Sequence, residues 1–144
     1  MDRIDLRAYR RGDEAAFTPR EDFAEEMAMI GHDWSGGPPT GHVWTLTRDH
    51  EVIGLAGVHR VLDRRPEAWA WVADLAPRDW VALVRLGRKM LGRMPQLGPV
   101  EASCRLSSRA AQSCLERIGF EDTGEVFDAP IGAGIAYRMM VRRA

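Results

Sequence analysis

The 144-residue chain is poor in cysteine and has no long apolar run, and both shortages exclude classes of protein. Cys104 and Cys114 are too few for the disulfide framework of a small secreted domain, so we expect a reducing compartment and thiols packed in the interior. No apolar run approaches the roughly 20 residues of a membrane span, and the charged start "MDRIDLRAYRRGDE" is unlike a signal peptide. We therefore expect a cytoplasmic protein without a membrane partner.

An excess of charge of one sign is also missing. The formal net charge is −1, so no overall field draws the protein to nucleic acid or to an anionic membrane. The histidines at positions 32, 42, 50 and 59 have no spacing typical of a metal site. Composition thus predicts neither a nucleic-acid partner nor a metal cofactor.

Alternating strand and helix patterns fill the chain. Its length suits one core, and no repeat or linker divides it, so we predict a single domain over residues 1–144. The patterns predict the order β, α, three β, α, β, α, β, β. This alternation indicates an α/β (α+β) fold.

The segment "EAWAWVADLAP" predicts a central strand. Trp69, Trp71, Ala73 and Leu75 would share one face, and Ala70, Val72 and Asp74 the other; both faces are largely apolar, as in a strand covered on both sides. The next segment, 80–94, has apolar residues three and four apart and predicts a helix. Its basic residues lie mostly on the outer side, where a solvated face accounts for them: Arg85, Arg88, Lys89 and Arg93.

Residues 100–106 predict a strand whose inward-facing residues are Val100, Ala102, Cys104 and Leu106. A second helix is predicted after this strand, and a turn follows the helix. Ser107 or Ser108 can cap its start by accepting from unpaired N–H groups. Gly119 suits the left-handed residue after its end, and Phe120 can fold back on Leu115. Two strands around a glycine-rich loop, "IGAG", close the chain.

This element order, together with "CLERIGFEDTGEV", resembles the GNAT superfamily of acyl-coenzyme A-dependent N-acyltransferases. "EAWAWVADLAP" is also similar to a strand of small GNAT-like proteins encoded by tailed phages. The resemblance implies a mixed, mostly antiparallel sheet flanked by helices on both faces. It implies that acetyl-coenzyme A, or another acyl-coenzyme A, lies where this sheet parts beside Trp71 to Leu75, and that an amine attacks the thioester.

The family cradles the coenzyme pyrophosphate on backbone amides of a glycine-containing loop, at a helix N-terminus. The matching stretch here is "LAPRDWVAL", which assigns coenzyme contacts to Leu75, Ala76, Arg78, Asp79, Trp80 and Val81, with Ser108 at the next helix start. It has no glycine, and Pro77 has no N–H to donate. Asp79 puts a carboxylate where the pyrophosphate would bind; a role as helix cap explains it but uses up the anion site, and Arg78 could offset the repulsion.

The tyrosine that commonly protonates the departing thiolate in this family aligns with Leu115, which cannot donate a proton. Ser113 and Cys114 are neighbouring alternatives, although Cys114 lies on the apolar stripe, and Tyr137 is a distant one. Asp74 could act as a general base through a water in a semi-buried cleft, or could pair with an arginine at the strand end.

Two functions remain open. The first is acyl transfer to an amine, with activity weak or absent. The second is a non-catalytic phage virion or assembly protein that uses the GNAT fold as an interaction module. Phage structural proteins would be its partners, within a virion assembled in the cytoplasm, and the protein could form oligomers.

Overall fold

A computed structural model describes residues 3–21, 24, 38, 41–60, 63–128 and 136–143. These residues include seven strands, two helices described from end to end, and 3₁₀ turns at Asp13–Ala15 and Pro95–Leu97. The strands are β1 (Ile4–Ala8), β2 (Gly41–Arg48), β3 (Glu51–His59), β4 (Glu67–Val72), β5 (Val100–Arg105), β6 (Glu121–Asp128) and β7 (Ala136–Arg142). The helices are α1 (Pro77–Gly92) and α2 (Arg109–Ile118).

The strands form one sheet in the order β1-β2-β3-β4-β5-β7-β6. β4 and β5 are parallel, whereas the other registered pairs are antiparallel. The predicted mixed, mostly antiparallel sheet is therefore confirmed. The parallel pair is registered at Glu67 and Glu101, and the N–H of Glu101 donates to the Pro66 carbonyl at 2.8 Å. The parting of the sheet beside Trp71 to Leu75 stays a prediction.

The chain forms two compact units, each with its own buried residues. The first consists of Met1–His59 and Trp69–Ala82, and the second of Arg60–Ala68 and Leu83–Ala144. Buried apolar residues of the first unit include Leu46, Ile53, Leu55, Val58, Trp71 and Val72. Those of the second include Leu91, Val100, Ala102, Cys104, Phe120, Met140 and Val141. The single domain over residues 1–144 stays a prediction.

The second and third strands form a hairpin in the first unit. Asp49 and His50 link β2 to β3 with positive φ values of 49° and 72°, the left-handed conformation of tight hairpin turns. Gly57 of β3 makes room for an aromatic neighbour, because a Cβ there would lie 2.7 Å from the Trp69 ring. Trp69 in turn contacts Trp71, with ring centroids 4.9 Å apart.

Several strand boundaries differ from the prediction. β4 ends at Val72, so Asp74 and Leu75 lie beyond it, in the short segment that leads to Pro77 at the start of α1. Ala70 of β4 is exposed, so the strand is not covered on both faces. Leu106 is 40% exposed rather than buried, because it lies in the turn that follows β5.

The first helix of the predicted order corresponds to the sequence pattern of residues 12–34, most of which lie outside the described residues. Asp13–Ala15 is a 3₁₀ turn, and Glu21 and Ala24 are helical. The loop that contains "IGAG" also lies outside them.

The predicted capping of α2 is confirmed. Ser108 Oγ accepts from the Ala111 N–H at 3.2 Å. At the other end Gly119 has a φ of 117°, and the N–H groups of Gly119 and Phe120 both donate to the Leu115 carbonyl. These two hydrogen bonds satisfy a carbonyl that would otherwise have no partner at the helix end, as in a Schellman motif.

Candidate functional site

The start of α1 is closed by hydrogen bonds between Ala76 and Asp79. The Ala76 carbonyl accepts from the Asp79 N–H at 2.9 Å and from the Trp80 N–H at 3.3 Å. In return, Asp79 Oδ2 accepts from the Ala76 N–H at 3.0 Å. Pro77 occupies the first helical position, where its lack of an N–H costs no helix bond. Asp79 therefore acts as one half of a capping box, in agreement with its expected role as a helix cap.

The Asp79 carboxylate points into the protein. The residue is 2% exposed, and its Oδ2 forms an ion pair with Arg48 at the end of β2. A carboxylate removed from water is destabilised unless a cation and hydrogen bonds compensate, and Arg48 and Ala76 supply both. The residue that neutralises Asp79 is thus Arg48, a partner that the sequence does not indicate.

Arg20 reaches the same region from a distant part of the sequence. Its N–H donates to the Val72 carbonyl at 2.9 Å, and its guanidinium carbon lies 5.2 Å from the centroid of the Trp80 ring. The N–H and C=O groups of the trans peptide between Val72 and Ala73 point in opposite directions. Because its N–H, from Ala73, donates to the Ile53 carbonyl of β3, the Val72 carbonyl points away from β3. Arg20 therefore lies along the other edge of β4, held by a backbone bond and a cation–π contact.

Sequence reasoning missed both Arg20 and Arg48. Neither lies in a motif, and no local spacing indicates that residues 20, 48 and 79 come together. Their proximity depends on the path of residues 9–20 past the end of β4 and on the register of β2, which are long-range properties of the fold.

The residues assigned to the coenzyme differ in exposure. Leu75 and Trp80 are half-buried, Ala76 and Arg78 are exposed, and Val81 is 52% exposed. Within the first turn of α1, Arg78 is exposed and Asp79 is buried. The charges of this turn fit a phosphate group, but its backbone offers few donors. Pro77 has none, and the Asp79 N–H is bonded to Ala76.

Asp74 lies in solvent, two residues beyond the end of β4. The expectation that the Asp74 carboxylate lies in a semi-buried cleft is therefore wrong. An exposed carboxylate can still accept a proton through water.

The remaining candidates lie in the second unit. The Ser108 hydroxyl is engaged as the cap of α2, and Ser113 is half-buried within the same helix. Burial raises the pKa of the Cys114 thiol, consistent with its expected place in the apolar packing. Tyr137 lies in β7 with its ring stacked on Phe127 at 5.8 Å between centroids.

The described residues contain no group of three or more His, Cys, Asp or Glu side chains placed to hold a metal ion. Nor does that part of the chain contain a helix long and apolar enough to cross a membrane.

Comparison with solved structures identifies the fold. A candidate phosphinothricin N-acetyltransferase superimposes with a TM-score of 0.71 at 15% identity, covering 98% of each chain. A GNAT-family acetyltransferase from Bacillus anthracis gives 0.67 at 13% identity, covering 98% of this chain and 95% of the other. AAC(6')-Ib, solved in complex with paromomycin and acetyl-coenzyme A, gives 0.64 at 18% identity, covering 97% and 93%.

The chain therefore has the fold of the GNAT acetyltransferases. No protein-family profile matches its sequence. No curated protein is significantly similar to it in sequence.

Proposed function

We propose that this protein binds an acyl-coenzyme A thioester at the start of α1 and transfers the acyl group to an amine at a low rate. The observation that carries this proposal is the inward orientation of Asp79, which is paired with Arg48 and hydrogen-bonded to Ala76. The one carboxylate expected to repel the pyrophosphate is thereby neutralised. Arg78 remains exposed in the same turn to attract it.

Binding would involve residues on both sides of the α1 start. Arg78 would pair with a phosphate, and the half-buried Leu75 and Trp80, with Ala76 and Val81, would contact the rest of the thioester. Arg20 adds a cation beside Trp80. With few backbone N–H donors in the first turn, we expect weaker binding than a glycine-containing loop gives. Ser108 would add little, since its hydroxyl already caps α2.

The chemistry would be direct transfer. The amine nitrogen attacks the thioester carbonyl carbon, the C–N bond forms and the C–S bond breaks. The amine loses a proton, for which Asp74 is the candidate acceptor through water, and the thiolate gains one. Because the family's tyrosine position holds Leu115, that second proton would come from solvent. Lack of a positioned acid costs roughly 10²–10⁴ in rate, which is why we expect slow turnover.

Release of the coenzyme A thiol in the presence of acetyl-coenzyme A and a panel of primary amines tests this proposal. We expect slow, amine-dependent thiol release that Arg78→Glu reduces about tenfold, the equivalent of one lost charge–phosphate contact. Arg85→Glu is the matched control, an equal charge change at an exposed site two turns further along α1. Thiol release independent of amine, or equal loss in both variants, would contradict the proposal.

The non-catalytic function is the second candidate, and Leu115 at the position of the acid favours it. Under this alternative the protein is a phage virion or assembly component, and the fold serves as an interaction module. β6 offers a suitable surface, since seven of its eight residues are exposed, including Val126 at 50%. Co-sedimentation with assembled phage particles, with no response to acetyl-coenzyme A, would favour this alternative over acyl transfer.

A further inference from the structure

An open cleft in the second unit is lined by four arginine side chains. Arg88 comes from α1, Arg117 from the last turn of α2, and Arg142 and Arg143 from the end of β7 and the residue after it. The cleft has a volume of about 490 Å³ and also contains Glu116. A solvated helix face accounts for Arg88 by itself, but it does not account for four cations that three elements bring to one concave surface.

Gly119 shapes the floor of this cleft. A Cβ at this position would lie 3.5 Å from Arg142 Nε, so the side chain of Arg142 lies directly over the glycine. The left-handed φ of 117° ends α2 here and turns the chain toward β6. The same glycine that stops the helix therefore lies next to the Arg142 side chain.

The four arginines of the cleft differ from five others that the structure describes, each of which has a carboxylate partner. Ion pairs are formed by Arg3, Arg7, Arg48, Arg65 and Arg138. Among the described residues, no ion pair involves Arg88, Arg117, Arg142 or Arg143. Glu116, the one carboxylate of the cleft, instead accepts from the Gln112 side-chain amide at 3.0 Å. The guanidinium donors of the cleft are thus available to a ligand.

The charge of the whole chain hides a difference between its two units. The second unit has 13 arginine and lysine residues against eight aspartate and glutamate residues, a formal charge of +5. The first unit has seven against 13, a charge of −6. The cleft therefore lies in a unit whose own cations outnumber its carboxylates, within a nearly neutral protein.

We propose that this cleft binds a small ligand that bears two or more linked phosphate groups. Guanidinium groups match phosphate oxygens with paired N–H donors, and several of them around one open, polar cleft suit a hydrated oligophosphate better than an apolar molecule. A long nucleic acid is a poorer match, because a net charge of −1 gives it no long-range attraction to the protein. The cleft shares no residue with the start of α1, and the proposal does not depend on acyl transfer.

Titration calorimetry of the full chain with inorganic triphosphate at low ionic strength tests this inference. We expect one-to-one binding that the double variant Arg88→Gln, Arg143→Gln weakens at least tenfold. Both side chains are exposed, so the variant should fold. The control is Arg85→Gln, Arg109→Gln, which removes the same charge at exposed residues outside the cleft and should change the affinity less than twofold.

Two further variants distinguish the cleft from the start of α1 and from general attraction between charges. Glu116→Gln removes the one repulsive charge in the cleft and should tighten triphosphate binding two- to threefold. Arg78→Glu should leave it unchanged, even if it abolishes a response to acetyl-coenzyme A. Absence of binding at millimolar triphosphate, equal loss in both double variants, or binding of a 20-nucleotide single strand without binding of triphosphate would each overturn the inference.

Discussion

The carboxylate of Asp79 forms an ion pair with the guanidinium of Arg48 and so joins the first turn of α1 to the end of β2. The pair is asymmetric, since 3% of the Asp79 side chain is exposed against 29% of Arg48. Asp79 therefore depends on this partner, whereas Arg48 keeps part of its hydration. The pair fixes the position of the turn to which we assign the coenzyme.

Asp79→Ala should lower the free energy of unfolding by about 2–3 kcal/mol, because it leaves Arg48 partly buried without its partner and the Ala76 N–H without its acceptor. Asp79→Asn should cost less, about 1 kcal/mol, since an amide oxygen can still accept from Ala76. Urea unfolding of both variants measures these values. If Asp79→Ala and Asp79→Asn prove equally stable, the capping hydrogen bond is not present as described.

The cap of α2 gives a second stability test. Ser108→Ala removes the acceptor for the Ala111 N–H and should cost about 1 kcal/mol of unfolding free energy. Ser107→Ala is the matched control, because Ser107 is exposed in the preceding turn and should change stability by less than about 0.5 kcal/mol. The reverse order of the two effects would place the cap on Ser107.

Two glycines should respond to alanine with opposite signs. Gly119→Ala forces a side chain onto a residue with a φ of 117° and should destabilise the protein by about 1–2 kcal/mol. Gly92→Ala, at the end of α1 with open space around it, should stabilise by up to about 0.5 kcal/mol. Thermal unfolding of the two variants checks the contrast, which would fail if both shifted the melting temperature in the same direction.

Acid sensitivity should depend on Asp13 in the first unit. Arg7 donates two hydrogen bonds to this buried carboxylate, and Thr45 donates a third at 2.7 Å. Chiefly through the hydrogen bonds from Arg7, its pKa falls to about 2. A carboxylate whose pKa is lower in the folded state than in the unfolded state stabilises the protein at pH values above the unfolded-state pKa. This contribution disappears as the pH falls through the folded-state pKa of about 2.

Asp13→Asn should therefore lose about 2 kcal/mol of unfolding free energy at pH 7, and the difference from the parent chain should shrink between about pH 4 and pH 2. Urea midpoints across this range measure it. A difference independent of pH would show that the charge of Asp13 does not contribute.

Local patterns predict the parts of this protein that depend on neighbouring residues. Ser108 and Gly119 are identifiable because a cap and a left-handed stop each act within one turn. The hairpin between β2 and β3 is identifiable for the same reason. The predicted end of β4 is wrong because the apolar alternation continues to Leu75, whereas the strand ends at Val72 before Pro77 begins a helix.

The candidate site is only partly predictable. Asp79 can be assigned as a cap, but its partner Arg48 lies 31 positions away, in a strand whose register no local pattern fixes. Arg20 lies beside Trp80 for a similar reason. A strand that continued to Leu75 would place Asp74 in a cleft, so the error in the length of β4 becomes an error in the site.

Binding of an acyl-coenzyme A thioester at the start of α1 can be measured by the backbone amide chemical shifts on addition of acetyl-coenzyme A. We expect the amides of Leu75, Ala76, Arg78, Trp80 and Val81 to shift together in a saturable way, and Arg78→Glu to suppress these shifts. No shift in this segment at millimolar acetyl-coenzyme A, or shifts confined to residues around Arg117 and Arg142, would contradict it.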